Sequence, residues 1–208
     1  MNGAANRYFD REAKTLAPLY ESTKFHVVHS YLLDFLPDGP ADVLDIGAGS
    51  GRDAAALAGL GYSVTVAEPS AAMLSEAKAL HRSANVRWLM DGLPGLETLK
   101  GEKFDLILLS AVWMYVDRRF RLESIKRLSE LIKPLGIVAL SIRELEPTEV
   151  GDFRLSDLAA TERAFIDAGF QCRERREKPD SLGRSSKTWT ILVYQAHPDM
   201  QCTDSSLV

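Results

Sequence analysis

The stretch DVLDIGAGSGRDAAALA, residues 42–58, decides the fold. DVLDI (42–46) is a short apolar run with strand character, and residues 51–60 read as a helix that Gly61 can stop. Between them Gly47, Gly49 and Gly51 stand at alternate positions. Glycine lets a chain turn tightly and lets a ligand lie against the main chain. The helix that opens after the turn offers N–H groups with no partner inside it.

Outward from this unit, strand and helix signals alternate. SVTVAE (63–68) is β-branched, and Ser70 can cap a helix over 71–83. VRWLM (86–90) is a third strand, and FDLILLS (104–110) is nearly all apolar, as a strand buried on both faces would be. An amphipathic helix over 118–133 is closed by Pro134 and Gly136, and IVALSI (137–142) is a fifth strand. A helix over 156–168 ends at Gly169, and strands at 170–176 and 188–195 follow with no helical pattern between them. Two helices precede the sheet, at 6–22 and 24–36. The second carries Phe25, Val28, His29, Leu32 and Phe35/Leu36 on one side.

The expected fold is α/β: a doubly wound, mostly parallel seven-stranded sheet with an antiparallel edge strand. The expected divisions are an N-terminal helical cap over 1–37, the sheet domain over 38–197 and a polar tail over 198–208.

Composition narrows the function. The 208 residues hold 25 Lys+Arg against 29 Asp+Glu, for a net charge of −4. That lacks the gross positive charge of a general nucleic-acid binder, although a local basic patch stays open. No apolar run reaches the ~20 residues of a membrane-spanning helix, and the first residues carry charges where a signal peptide is apolar. Cys172 and Cys202 stand apart from any CxxC pair, which suits free thiols in a reducing cytoplasm. The histidines at 26, 29, 81 and 197 have no metal-ligand spacing, so no metal is expected.

Glu68 closes the second strand, where an acidic residue in doubly wound folds accepts hydrogen bonds from ribose hydroxyls. A dinucleotide site prefers G-x-G-x-x-G, which needs glycine at position 52, and this chain has Arg52. The spacing is instead G-x-G-x-G, preceded by Asp45. This resembles motif I of the class I S-adenosylmethionine-dependent methyltransferases, and the resemblance runs in order over residues 40–143. Glu68 matches that family's ribose acid, and Asp91 in LMDGLP its acid that meets the adenine amino group. FDLILLSAVWMYV matches its fourth strand and active-site loop. LIKPLGIVALS resembles its helix, turn and fifth strand, with Pro-Leu-Gly in place of Pro-Gly-Gly.

The resemblance implies a cofactor, S-adenosyl-L-methionine, and a product, S-adenosyl-L-homocysteine. Asp45 would hold the glycine loop and approach the methionine end. Main chain at Gly47, Ala48, Gly49 and Gly51 would lie against methionine and ribose. Leu93, beside Asp91 and Gly92, would pack on adenine, with Pro69 and Met73 on its other side. Ser110 and Ala111 would pass near the methionine moiety. The segment NRYFDREAKTLAPLYES, with Arg7, Tyr8 and Tyr20, resembles the aromatic and basic segment that small-molecule members lay over the cofactor. Amphipathic packing accounts for the same segment equally well.

The sequence says less about the acceptor. The cofactor supplies the electrophile, and the enzyme mainly positions the acceptor and excludes water. A base is needed only where the acceptor must lose a proton. The loop SAVWMYV lacks the Asn/Asp-Pro-Pro-aromatic motif of amino-methylating DNA enzymes, and neither cysteine sits where a cytosine-C5 enzyme needs its nucleophile. His26, Trp113, Tyr115 and Arg143 are the catalytic candidates, with Arg184, Lys187 and Trp189 near the same sheet edge. Such a pocket suits a planar or anionic small molecule. His29, on the apolar face of its helix, reads as a packing histidine. The basic stretches 118–133 and 171–187 read first as solvated faces. The expected function is methyl transfer to an oxygen or nitrogen of a small molecule in the cytoplasm. An RNA-modifying methyltransferase and a non-catalytic methyltransferase-like partner subunit are the alternatives.

Overall fold

The computed structural model describes residues 3–151, 153–184 and 187–200. Its strands are β1 (Asp42–Ile46), β2 (Ser63–Ala67), β3 (Val86–Leu89), β4 (Phe104–Ser110), β5 (Ile132–Ile142), β6 (Phe170–Pro179) and β7 (Thr188–Ala196). They form one sheet in the order β3-β2-β1-β4-β5-β7-β6. The first five are parallel, and β7 runs antiparallel between β5 and β6. The helices are α1 (Gly3–Glu21), α2 (Phe25–Val28), α3 (Arg52–Gly59), α4 (Ala71–Leu80), α5 (Arg121–Leu131) and α6 (Leu158–Asp167). Among the described residues, no helix is long and apolar enough to cross a membrane.

Strand β4 explains the layering. Leu106 to Leu109 are all fully buried, and alternate side chains leave a strand on opposite faces. Ile107 and Leu109 join Ile125 and Leu128 of α5 and Phe165 of α6 on one face. Leu106 and Leu108 join Ala54 and Leu57 of α3 and Leu74 of α4 on the other. Each such leucine contributes about 1.5–3 kcal/mol by leaving water.

Three elements depart from the sequence pattern. The helix expected over 24–36 stops after Val28 and resumes only as a 3₁₀ turn at Leu33–Phe35. His29 and Tyr31 are both buried, and His29 Nδ1 meets the Tyr31 hydroxyl at 3.0 Å. Residues two apart point to different sides of a helix, so that contact requires the helix to break. Next, β5 begins at Ile132, not 137. Phe104 pairs with Ile132 and Leu106 with Ile137, so Lys133 to Gly136, including Pro134, bulge within the strand. Finally, the helix expected from 118 starts as a 3₁₀ turn at Arg118–Phe120, where the Asp117 carboxylate accepts the Arg119 N–H at 3.0 Å. Beyond residue 200 the expected polar tail, with Cys202, lies outside the described residues. Cys172 is a free, exposed thiol.

The reversal of β7 shapes one edge of the sheet. Its first residues lie where β1–β5 end, and the β6–β7 link hangs over that edge. In open α/β sheets that is where ligands bind.

Candidate active site

The turn after β1 is made by Gly47, Gly49 and Gly51, at φ +67°, +56° and +82°. At Gly47 a Cβ would stand 2.7 Å from Val112 Cγ2, so this position excludes any side chain twice, by backbone and by space. Gly49 N–H donates to Glu68 Oε2 at 2.9 Å, and Ser70 N–H donates to Glu68 Oε1 at 2.8 Å. Glu68, only 4% exposed, therefore bridges the glycine turn and the start of α4. Burial pushes its carboxyl up to about 7, against the pull of those two amides.

Behind the turn, and not lining the cleft, lies Asp45, 1% exposed, with no hydrogen-bond partner on either carboxyl oxygen. Burial and the neighbouring Asp53 push its carboxyl well above the usual carboxylate range, against the pull of the Arg52 guanidinium. Burial pushes Asp53 up as well, but His29 and Arg52 outweigh it and hold that carboxyl low. Arg52 Nε donates to Asp53 Oδ1 at 2.7 Å, and its Nη1 donates to the Tyr20 carbonyl at 3.0 Å. His29 Nε2 meets Asp53 Oδ2 at 2.8 Å and the Ser110 hydroxyl at 3.3 Å. The residue that breaks the dinucleotide spacing thus ties the glycine turn to the end of α1.

One cleft runs along this sheet edge. Gly47, Ala48, Gly49, Glu68 and Met73 line one end of it, beneath Tyr20 of α1. Ser110 and Ala111 leave β4, which lies between β1 and β5, and so stand between the two groups of lining residues. Ala111 has φ +59°, a strained setting for a non-glycine residue, and its N–H donates to Ser141 Oγ at 2.9 Å. Tyr115, Arg143, Arg184 and Trp189 line the other end.

Other expected site residues fall elsewhere. Trp113 is fully buried, with its Nε1 donating to Thr161 Oγ1 at 3.3 Å and its ring 5.7 Å from Phe165. It and Tyr115 share a 3₁₀ turn, whose side chains diverge; the tryptophan enters the core and the tyrosine the cleft. His26 is exposed on the short α2 beside a separate groove, because Phe25 and His29 take the inward positions. Asp91 turns into its own loop, accepting from Gly92 N–H at 2.7 Å and from Thr98 N–H and hydroxyl at 2.9 and 2.6 Å. Leu93 is core. Gly92 packs on Pro69, where a Cβ would come within 3.0 Å, and Gly51 packs on Trp88. None of these residues lines the cleft.

The cleft also holds residues that the sequence did not single out: Phe9, Asp53, Ser141, Lys178, Asp180 and Ile191. A spacing signal was present. Trp189 and Ile191 are two apart on β7 and share a sheet face, and Arg143 and Asp180 lie one residue beyond β5 and β6, two residues after Ser141 and Lys178. Ser141 faces Ile191 and Lys178 faces Trp189 across the ladders. That register could not be read from one strand at a time.

The basic stretches are laced to carboxylates. Lys133 reaches Asp42 and Asp105, each at 2.8 Å, Arg127 reaches Glu130, and Arg175 reaches Glu162 at 2.8 Å.

Residues 43–136 match the family described as a methyltransferase domain. That stretch carries a methyltransferase domain, and the chain as a whole has the fold of the class I S-adenosylmethionine-dependent methyltransferases. Solved structures share its fold at low identity. A Burkholderia thailandensis 1,6-didemethyltoxoflavin-N1-methyltransferase, with 1,6-didemethyltoxoflavin and S-adenosylhomocysteine bound, is 19% identical with a TM-score of 0.71. That match covers 93% of this chain and 87% of the other. A TehB-like S-adenosylmethionine-dependent methyltransferase from Corynebacterium glutamicum is 16% identical, with a TM-score of 0.66 and coverages of 94% and 100%. An S-adenosylmethionine-dependent methyltransferase from Methanosarcina mazei is 19% identical, with a TM-score of 0.64 and coverages of 80% and 97%. No curated protein matches the sequence. Structures of this fold are S-adenosylmethionine-dependent methyltransferases, and one holds S-adenosylhomocysteine. The orphaned oxygens of Asp45 and the buried Glu68 are acceptors of the kind its ammonium and ribose hydroxyls need.

Proposed function

We propose that the protein moves a methyl group from S-adenosylmethionine to an oxygen or nitrogen of a small-molecule acceptor, in the cytoplasm. The observation that carries this reading is the two-ended cleft. Its glycine-turn end offers main chain and acidic side chains, and its far end is lined by aromatic and basic side chains. The Burkholderia methyltransferase, which holds both 1,6-didemethyltoxoflavin and S-adenosylhomocysteine on the same fold, supports it.

On this reading Glu68 takes the ribose hydroxyls. Each of its oxygens already accepts one amide and keeps lone pairs for more. Asp45 accepts from the methionine ammonium, directly or through water. Met73 and Tyr20 close over the nucleoside, and Ser110 and Ala111 flank the methionine. The bound S-adenosylmethionine supplies an electrophilic methyl. The protein's part is to hold the acceptor in line with it and keep water out, which Phe9 and Tyr20 do from α1 acting as a cap over the cleft. Burial pushes the Tyr20 and Tyr115 phenols up, so both stay neutral donors that can orient an acceptor.

Calorimetric titration with S-adenosylmethionine tests the reading. A saturable heat with thermal stabilisation is expected for the native chain, and both should fall sharply for Glu68→Ala. No heat and no stabilisation would overturn it.

A further inference from the structure

The charges along the cleft are segregated, and the segregation describes the acceptor. At the glycine-turn end the carboxylates Asp53 and Glu68 line the cleft with one cation, Arg52, and Asp45 lies buried behind them. The far end has the opposite bias. Arg143 lies with both Nη atoms on Glu149, at 2.7 and 2.6 Å, and Lys187 shares that carboxylate at 3.1 Å. Arg184 is paired with Asp180. Lys178 has main-chain carbonyls for partners: its Nζ donates to Val28 O at 2.6 Å and Val27 O at 3.4 Å. Carbonyls bring no countercharge, and the carboxylate that Lys178 does feel, Asp180, is already paired with Arg184. Four cations therefore meet two carboxylates at this end among the described residues.

One donor here is unspent. Arg143 is 5% exposed, lines the cleft, and its Nε has no hydrogen-bond partner. A buried unpaired guanidinium N–H is costly unless a ligand accepts from it. Glu149 grips the other two nitrogens and so fixes the plane of the group. Flat surfaces adjoin it. The Arg143 guanidinium stands 5.7 Å from the Trp189 ring, whose Nε1 is pinned to Asp180 at 2.8 Å. The Tyr115 ring meets Phe9 edge-on at 5.1 Å.

We infer that the methyl acceptor is a planar organic anion, its negative group held by Arg143 and Lys178 and its ring lying among Trp189, Tyr115 and Phe9. This rests on the small-molecule reading and adds the chemical class. Lys178 agrees with it: burial lowers its pKa, a cost that a bound anion would offset. A cationic methyl donor at the acidic end and an anionic acceptor at the basic end attract each other into line.

The test uses the full chain saturated with S-adenosylhomocysteine. Planar carboxylates (benzoate, salicylate, 2-naphthoate and quinoline-2-carboxylate) are titrated beside their neutral amides and the corresponding aryl methylamines. The expected result is binding of the carboxylates at least about tenfold tighter than their amides, with the amines weakest. Lys178→Met and Arg143→Gln should each weaken carboxylate binding about tenfold and leave S-adenosylhomocysteine affinity unchanged. Lys178→Met retains the aliphatic stem, so it remains decisive if loss of the Glu149 pair unfolds Arg143→Gln. Amides or amines binding as well as carboxylates would overturn the inference, as would no carboxylate binding at millimolar concentration. Full carboxylate affinity in Lys178→Met would do the same. Failure to bind S-adenosylhomocysteine at all is a separate result, which overturns the methyl-transfer reading and this inference with it.

Discussion

The two ends of the cleft are built in different ways. The glycine-turn end comes from a few contiguous segments, and its decisive groups are main-chain amides, left-handed glycines and carboxylates at or just past a strand end. The far end has no such motif. It is assembled from side chains at the end of β5, on β6, β7 and their link, and on the turn after β4, brought together by strand register and packing. The first is fixed by local backbone geometry and tolerates little change, whereas the second can be rebuilt side chain by side chain. This division suits a domain whose methyl donor is constant and whose acceptor is its own.

The comparison can be broken most severely at Gly47. Gly47→Ala forces a left-handed alanine against Val112, at a cost of about 2–4 kcal/mol from strain and overpacking together. Urea denaturation should register that loss, and S-adenosylmethionine binding should vanish. Adding Val112→Ala should restore part of the stability.

Glu68→Gln is next. Cofactor affinity should fall by about 1.5–3 kcal/mol, the range for hydrogen bonds to a charged group, as read by calorimetry. This residue also makes a pH prediction. Its carboxyl titrates near 7 in the folded chain, above the ordinary 4.5. Between those values the folded state holds the proton more tightly than the unfolded state, so stability falls as pH rises through the window, by roughly 3 kcal/mol in all. Ribose hydroxyls prefer the ionised form, so S-adenosylhomocysteine affinity should rise as pH passes through about 7. Both slopes should flatten in Glu68→Gln. An unchanged slope would mean that another group titrates there.

At the far end, Asp180→Asn should have a smaller effect on stability, about 1–2 kcal/mol, because Asp180 organises the link. It accepts from Leu182 N–H at 2.9 Å, Arg184 Nε at 3.0 Å and Trp189 Nε1 at 2.8 Å. Acceptor turnover should drop while cofactor affinity holds; a parallel loss of both would erase the distinction between the ends. The smallest effect is expected at the exposed His26. His26→Ala should lie within about 0.5 kcal/mol of the native chain and leave cofactor binding alone.

Residues whose placement follows from their immediate neighbours were legible. Gly47, Gly49, Glu68, Ser110 and Ala111 each lie at or just past a strand end, and all line the cleft. Choices between neighbours were not legible. Trp113 and Tyr115 share one short turn, yet only the tyrosine enters the cleft, because a cavity near Phe165 and Thr161 takes the larger ring. His26 and His29 lie within one short helical turn, and burial against Asp53 selects His29. Asp91 sits where the family pattern places an adenine contact, but Thr98, seven residues on, claims its carboxylate.

The alternation of strands and helices, the glycine turn and the acidic residue after β2 are written in local stretches of the chain. Each of these depends on backbone conformation and periodicity over a few consecutive residues. An antiparallel strand was expected at the edge, and three-dimensional packing places it inside the sheet, with β7 between β5 and β6. That placement carries Lys178, Asp180, Arg184 and Trp189 to the edge where the parallel strands end. The tertiary structure also decided which cations there find carboxylates, because side-chain pairing depends on register and burial among segments far apart in the chain.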